Sequence, residues 1–409
     1  MSTPAGSNGI AASSSSAGAA LPAIRGHLPH LDGLRGIAIL MVLFHHWSDA
    51  EPHETALAHD WQAVAQFGRF GVDLFFVLSG FLITGILLES KGAPNYFSSF
   101  YARRTLRIFP LHYAALASIL VVLPLTGRHT PGVNFLVEHQ IWLWAYASNI
   151  YTTLTRAWCW GLFQHFWSLA IEEHFYLVWP LVIFFTSRRT LIVVCASLLA
   201  GTALARWAFL DNSIATYSLT ICRLDGLVYG SLVALLVRDV RAISWLRRAV
   251  VPTLVLLGPA TIALYAIPGG KLPWLSVIFV YTISDVFFAA LLFAVLIAPE
   301  TGRLGRLMRS GFLRAFGKYS YGIYVFHMML RQDFLIRAIN KVTRHFHYEL
   351  LGILGYSLAM TAISFAVAFV SYHAFEKHFL RLKSVFRAKP ATDAPARLAV
   401  ATAPAIEAE

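Results

Sequence analysis

The chain reads as long apolar blocks separated by short polar stretches. LASILVVLPL (116–125), LIVVCASLLAGTALA (191–205) and YSLAMTAISFAVAFVSY (356–372) are examples. Runs approaching 20 residues with few charges are long enough to cross a bilayer as helices. None of these blocks alternates with period two, which argues against strands. Backbone hydrogen bonding in lipid admits only helices or closed barrels, so the pattern predicts an all-α, polytopic membrane bundle of about ten transmembrane helices. The expected spans lie near 33–50, 67–88, 110–126, 166–186, 190–210, 222–237, 250–267, 274–297, 318–336 and 352–375. One further apolar block, FLVEHQIWLWAYASNI (135–150), is rich in Trp and Tyr and is expected to lie at the interface without crossing.

Composition agrees with this reading. Only 13% of the 409 residues are charged, while 57% are hydrophobic. Soluble domains are about a quarter charged. Residues 1–24 are small, polar and low in complexity, without the charged and apolar regions of a signal peptide, and are expected to be a disordered tail. The transmembrane domain is expected over 25–383, and 384–409 is expected to form a second disordered tail.

The formal net charge is +12. In a membrane chain this excess reads as orientation and contact with anionic headgroups rather than nucleic-acid binding. With the N-terminus inside, most Lys and Arg residues fall on the inner side, as the positive-inside rule requires, and both termini are cytoplasmic. An extra crossing at 135–150 would invert every later basic loop. The three cysteines, Cys159, Cys195 and Cys222, show no disulfide or metal-ligand spacing. No internal repeat of the kind that builds many transporters is visible.

The candidate chemistry begins in LDGLRGIAILMVLFHHW. Arg35 and His46 are eleven residues apart, so they share one helix face about 16 Å apart along the axis. An imidazole inside an apolar span is a candidate general base. The alternative is a structural histidine bonded to a neighbouring helix, and spacing alone does not separate the two. His45 points elsewhere. In GVDLFFVLSGFLITGIL, Asp73 and Ser79 face different sides, and Ser79 also suits plain helix packing.

Arg103, Arg104 and Arg107 crowd one side of a helix start in YARRTLRIFPLHY. Guanidinium groups are suited to bidentate phosphate recognition, as in a nucleotide-bearing donor such as coenzyme A, or to anchoring on lipid phosphates. Glu172 and Glu173 in FWSLAIEEHFYLVWP are expected at the outer end of a span, where one of them, or Asp73, could orient His46. Weaker signals are Arg223 and Asp225, the Tyr321, Tyr324 and His327 series, and Glu376, read with Lys377 and His378 as an inner-surface ion cluster.

Taken together, LDGLRGIAILMVLFHHW, GVDLFFVLSGFLI, YARRTLRIFPLHY, FWSLAIEEHFYLVWPL, RLDGLVYGSLVA, FGKYSYGIYVFH and SYHAFEKHFLRL resemble acyltransferase family 3. These are membrane-bound O-acyltransferases of the O-antigen acetylase type. The family's arginine, ten residues, histidine pattern falls on Arg35 and His46. The resemblance covers Leu31 to about Lys383. It implies an acyl-CoA donor, usually acetyl-CoA, and a hydroxyl acceptor on a polysaccharide, glycolipid or related carbohydrate, with the bacterial inner membrane as the usual home. The chain is expected to lack the extracytoplasmic hydrolase-like domain that some relatives carry. On this reading Arg103, Arg104 and Arg107 hold donor phosphates, His46 removes the acceptor hydroxyl's proton or accepts the acyl group itself, and no permanently bound cofactor or metal is required. The rival reading is a proton-coupled transporter or flippase, with His46, Asp73, Glu172 and Glu173 as a relay.

Overall fold

The computed structural model describes residues 28–48, 55–127, 130–266, 273–331, 337, 339, 341–342 and 348–389. Expectations for the tail 1–24, for Arg128, for 332–336 and for 390–409 lie outside the described residues. Helices account for nearly all regular structure, and no strand occurs among the described residues.

A helix stands at each expected span. The first four are α1 (Pro29–Ser48), α2 (Gly71–Ser90), α3 (Tyr96–Ala117) and α4 (Phe166–Phe185). After them come α5 (Arg188–Ala208), α6 (Asp225–Leu236), α7 (Val240–Ala266) and α8 (Pro273–Ile297). The last two are α9 (Gly311–Leu330) and α10 (Glu349–Ser371). Among the described residues, seven helical stretches are long and apolar enough to cross a membrane. The other three are α1, α6 and α9. Helix α6 has only 12 residues. Helices α1 and α9 carry Arg35, His45 and His46, and Arg314, Lys318 and His327, which lower their hydropathy. These polar side chains are what makes the two helices chemically interesting.

The block 135–150 does not form one long helix. It is divided among Pro131–Glu138, Ile141–Trp144 and Ser148–Thr155, each too short to span. Tyr113 Oη donates to the Trp144 carbonyl (3.2 Å), fixing this segment against α3.

Lipid does not drive helices together as water does, so close contact depends on small residues and buried polar groups. Helix α1 meets α9 at Gly36 and Gly317, where an added Cβ would lie 2.1 Å from the Leu313 carbonyl oxygen and 1.9 Å from that of Asp32. Helix α2 meets α6 in the same way. A Cβ on Gly80 would lie 1.8 Å from the Leu227 oxygen, and one on Gly230 would lie 2.0 Å from that of Val77. Helices α1 and α2 therefore stand at the centre, with α9 and α10 against α1, and α4, α6 and α8 around α2. Lys91, just past α2, donates to the last carbonyls of α4 at Ile183 (2.7 Å) and to Thr186 (2.6 Å), closing that helix end.

Residues 384–389 are bonded to the start of α3. Ser99 Oγ donates to the Phe386 carbonyl (2.7 Å), and the Lys389 amide donates to Asn95 Oδ1 (2.8 Å).

Candidate functional site

Two cavities lie along α1, separated by a thin wall. The smaller, about 100 Å³, includes Arg35, Arg104, Arg107, Glu172, Tyr176 and Ser79 in its lining. Arg35 is held on α1 near Asp32 (3.6 Å), one turn earlier. The Tyr176 and Ser79 hydroxyls are 2.5 Å apart, and the Arg104 guanidinium sits 5.1 Å over the Tyr176 ring. Three guanidiniums thus share a narrow space with one carboxylate, Glu172, an arrangement that favours an anion. Arg103, the third member of the arginine trio, is exposed and outside this lining. Because α3 begins at Tyr96, well before the apolar block, all three arginines lie on the helix itself.

The larger cavity, about 580 Å³, is lined in part by His45, His46, His165, Arg69 and Arg331, with Trp158, Trp167, Tyr217 and Tyr281 among its walls. His46 Nδ1 lies 2.9 Å from the Val42 carbonyl oxygen. A carbonyl can only accept, so Nδ1 carries the proton and the Nε2 of the neutral ring carries the lone pair. His327 is fixed the same way, Nδ1 donating to the Tyr324 carbonyl at 2.7 Å. The ring centroids of His46 and His327 are 4.9 Å apart, and those of His327 and His165 are 4.7 Å apart. Three imidazoles from α1, α9 and the residue before α4 thus form a row.

That row is part of the wall between the cavities. Val42 and Tyr324 line the small cavity, while His46 and His165 line the large one. Tyr324 Oη donates to the His165 carbonyl (2.6 Å) and lies 3.1 Å from Ser168 Oγ. The Val42 end of the arginine cavity is therefore one helical turn from His46.

Asp73 belongs to a different cluster. Its carboxylate is paired with Arg223 at 2.6 Å, both buried. Arg206 pairs with Asp225 at 2.7 Å, and Thr282 bridges Arg206 and Asp225 at 2.5 and 3.0 Å. The Arg223 guanidinium lies 3.7 Å over the Tyr281 ring. No described contact brings Asp73 to His46. Its charge ties α2 to Arg223, in the segment before α6, beside the Arg206, Asp225 and Thr282 cluster that links α5, α6 and α8.

The glutamates also separate. Glu172 lines the arginine cavity rather than standing beside His46, because α4 starts at the histidine row and carries residue 172 more than a turn away from it. Glu173 turns to another side, near Tyr113, Tyr146 and Tyr321, and its Oε1 is buried without a hydrogen-bond partner among the described residues. Glu376 is not part of a surface cluster. It is buried, accepts from Ser371 Oγ (3.2 Å) and packs against Gly322 of α9.

His165, Arg69 and Arg331 escaped the sequence reading. His165 sits at a helix boundary with no charged neighbour, Arg69 precedes a span as ordinary anchors do, and Arg331 caps α9. Among the described residues no three His, Cys, Asp or Glu side chains converge on a metal-binding position.

A bundle of long lipid-length helices with buried ion pairs and polar cavities is an integral, multi-pass membrane protein. The type 3 acyltransferase family, whose model is described as an acyltransferase domain, matches residues 28–373, and the chain belongs to that family. It is 29% identical over 321 residues to O-acetyltransferase OatA of Staphylococcus aureus strain NCTC 8325, covering 74% of this chain and 50% of that protein. It is 35% identical over 164 residues to peptidoglycan O-acetyltransferase OatA of Listeria monocytogenes, covering 38% of this chain and 24% of the relative. It is 35% identical over 163 residues to the putative peptidoglycan O-acetyltransferase YrhL of Bacillus subtilis, covering 38% and 23%. The chain spans about half the length of the Staphylococcus relative and less of the other two. No solved structure matches it.

Proposed function

We propose that the protein is a membrane O-acyltransferase that moves an acetyl group from acetyl-CoA to a hydroxyl of a carbohydrate, polysaccharide or glycolipid acceptor, in a bacterial inner membrane with both termini cytoplasmic. The observation that carries this reading is the pair of cavities lying on either side of the histidine row, one cationic and narrow, the other wide and aromatic. The narrow cavity suits the thin pantetheine arm of the donor. Its phosphates stay at the mouth with Arg103, Arg104 and Arg107, whose guanidiniums suit bidentate phosphate contacts. The wide cavity takes the acceptor from the other side.

In the transfer step His46 Nε2 accepts the proton of the acceptor hydroxyl while that oxygen bonds to the thioester carbonyl carbon. The tetrahedral intermediate collapses with cleavage of the carbon–sulfur bond. The departing thiolate takes the proton back from the imidazolium, leaving an ester and free coenzyme A. The Val42 carbonyl keeps His46 in the tautomer this requires. Arg35, at the other end of the same helix face, contributes positive charge along the donor's path.

The test is release of free thiol from acetyl-CoA by protein purified in lipid nanodiscs and supplied with a bacterial glycolipid extract. Thiol release above the no-acceptor rate is expected. In His46→Ala it should fall about 10²–10⁴-fold, the range for loss of a general base. Acceptor-dependent release within a few-fold of wild type in that variant would remove His46 from the chemistry.

A further inference from the structure

The segment after α10 returns along α3. It comprises a short helix (Lys377–Arg381), a single turn (Leu382–Ser384) and the stretch to Lys389. All of it lies beyond residue 373, where the family match ends. Two hydrogen bonds show its register. The Lys389 amide donates to Asn95 Oδ1 (2.8 Å), and Ser99 Oγ donates to the Phe386 carbonyl (2.7 Å). The segment therefore runs antiparallel to α3, and each turn back along it matches one turn forward along the helix. The next step in that register sets Lys383 beside Arg103. The turn Leu382–Ser384 packs directly on α3. The Phe386 amide donates to the Lys383 carbonyl (3.2 Å), which keeps those two residues one turn apart.

Lys383 is half-buried there. The strongest charges acting on its ammonium are Arg107, Arg104, Arg103 and Arg35, all of them cations. Among the described residues, none of Lys383, Arg103, Arg104 and Arg107 forms an ion pair with an acid. The carboxylates within electrostatic reach, Glu172 and Glu173 of Arg104 and Glu376 of Arg107, act on the two arginines that line the narrow cavity. Like charges at this spacing repel one another, and a bound anion relieves them.

The order of the cations matches the order of the charges on the donor. Arg104 and Arg107 line the narrow cavity, while Arg103 and Lys383 stand outside its lining. In coenzyme A the pantetheine arm leads to the pyrophosphate, and the ribose with its 3′-phosphate comes after, farther from the thiol. An arm in the cavity sets the pyrophosphate beside Arg104 and Arg107 and leaves the 3′-phosphate to the outer pair.

We propose that Lys383 is a donor-binding residue, which with Arg103 holds the 3′-phosphate of the acyl-CoA donor at the mouth of the arginine cavity. The identity of the donor rests on the acyltransferase reading above; the convergence of the cations does not. Arginine offers a rigid fork and lysine a mobile point charge, so the two together suit a terminal phosphate with three free oxygens. The donor site is then completed by the C-terminal segment and selects coenzyme A over its dephospho form.

The test is calorimetric titration of the full-length protein in phosphatidylcholine nanodiscs with coenzyme A and with 3′-dephospho-coenzyme A, which differ only in that phosphate. Wild type should bind coenzyme A at least about tenfold more tightly, the effect of a charge-assisted contact. Lys383→Gln should remove most of this preference and leave the affinity for dephospho-coenzyme A unchanged, which separates phosphate recognition from misfolding. Lys383→Arg should keep the preference.

Equal binding of the two ligands by wild type would overturn the proposal, and is the result expected if these cations serve lipid phosphates instead. A preference that survives Lys383→Gln would overturn it too, as would an equal fall in affinity for both ligands in that variant. Thiol release from acetyl-CoA by a protein without the preference would refute this site and leave the transferase reading standing. A preference lost in Lys383→Gln, in a protein that transfers no acetyl group, would uphold the site and refute that reading.

Discussion

At the scale of single residues, the site depends on which atom holds each proton. His46 and His327 both spend Nδ1–H on a carbonyl of their own helix, so their Nε2 atoms face away from the backbone as acceptors. Tyr324 belongs to the wall between the two cavities, and its hydroxyl donates to the His165 carbonyl. Tyr324→Phe keeps the ring and removes that bond. It should lower kcat about five- to tenfold, the equivalent of a net hydrogen bond near 1 kcal/mol, with little change in the KM for acetyl-CoA. Steady-state thiol release over a range of donor concentrations measures both quantities. A large rise in KM at constant kcat would make Tyr324 part of donor binding instead.

At the scale of helices, much was legible because lipid imposes strict demands. Spans at 166–186 and 274–297 correspond to α4 and α8 nearly residue for residue, since apolar length is the requirement. The Trp- and Tyr-rich block 135–150 read as non-crossing, and short helices replace a span there. Helix ends were less legible. Helices α3 and α7 start more than a turn before their apolar blocks, because arginines are good helix formers and α7 opens on a stretch with Arg241, Arg247 and Arg248.

Tertiary partners were not legible at all. Asp73 and Arg223 are 150 residues apart, and neither sequence neighbourhood points to the other. The pair is buried on both sides, so Asp73→Asn should destabilise the protein by about 3–5 kcal/mol by leaving Arg223 uncompensated, whereas Asp73→Leu combined with Arg223→Met should recover most of the loss. Unfolding in detergent followed by circular dichroism would show this. A double variant as unstable as the single one would mean that the pair contributes more than mutual neutralisation. At the α2–α6 crossing, Gly80→Val should prevent the two helices from closing, since the Leu227 carbonyl occupies the space its side chain needs. Loss of monodisperse protein on size exclusion is the expected result, and a well-folded Gly80→Val protein would contradict the packing described.

At the scale of the whole molecule, the arrangement has two ends. Arg188 pairs with Asp239 at the end where α5 begins, and Arg156 pairs with Asp211 beyond the end where α5 finishes. The arginine cavity lies toward the first end and the wide cavity toward the second. The proposal that the donor is cytoplasmic and the acceptor external therefore requires opposite exposure of these two pairs. Single cysteines replacing Arg156 and Asp211 in a cysteine-free background should react with an impermeant maleimide added outside intact cells. Cysteines replacing Arg188, Arg241 and Arg309 should react only after the membrane is opened. Labelling of positions 156 and 188 from the same face would require a different path for α4 and α5.

The central claim is that acetyl groups pass from a thioester to a carbohydrate hydroxyl at His46. The most direct measurement supplies deuterated acetyl-CoA to inverted membrane vesicles containing the protein and follows the label by mass spectrometry into alkali-labile esters of glycan or glycolipid. Label should appear in such esters with wild-type protein and fall to background with His46→Ala present at the same level. Label entering esters equally in both, or no label leaving acetyl-CoA with the wild type, would contradict it.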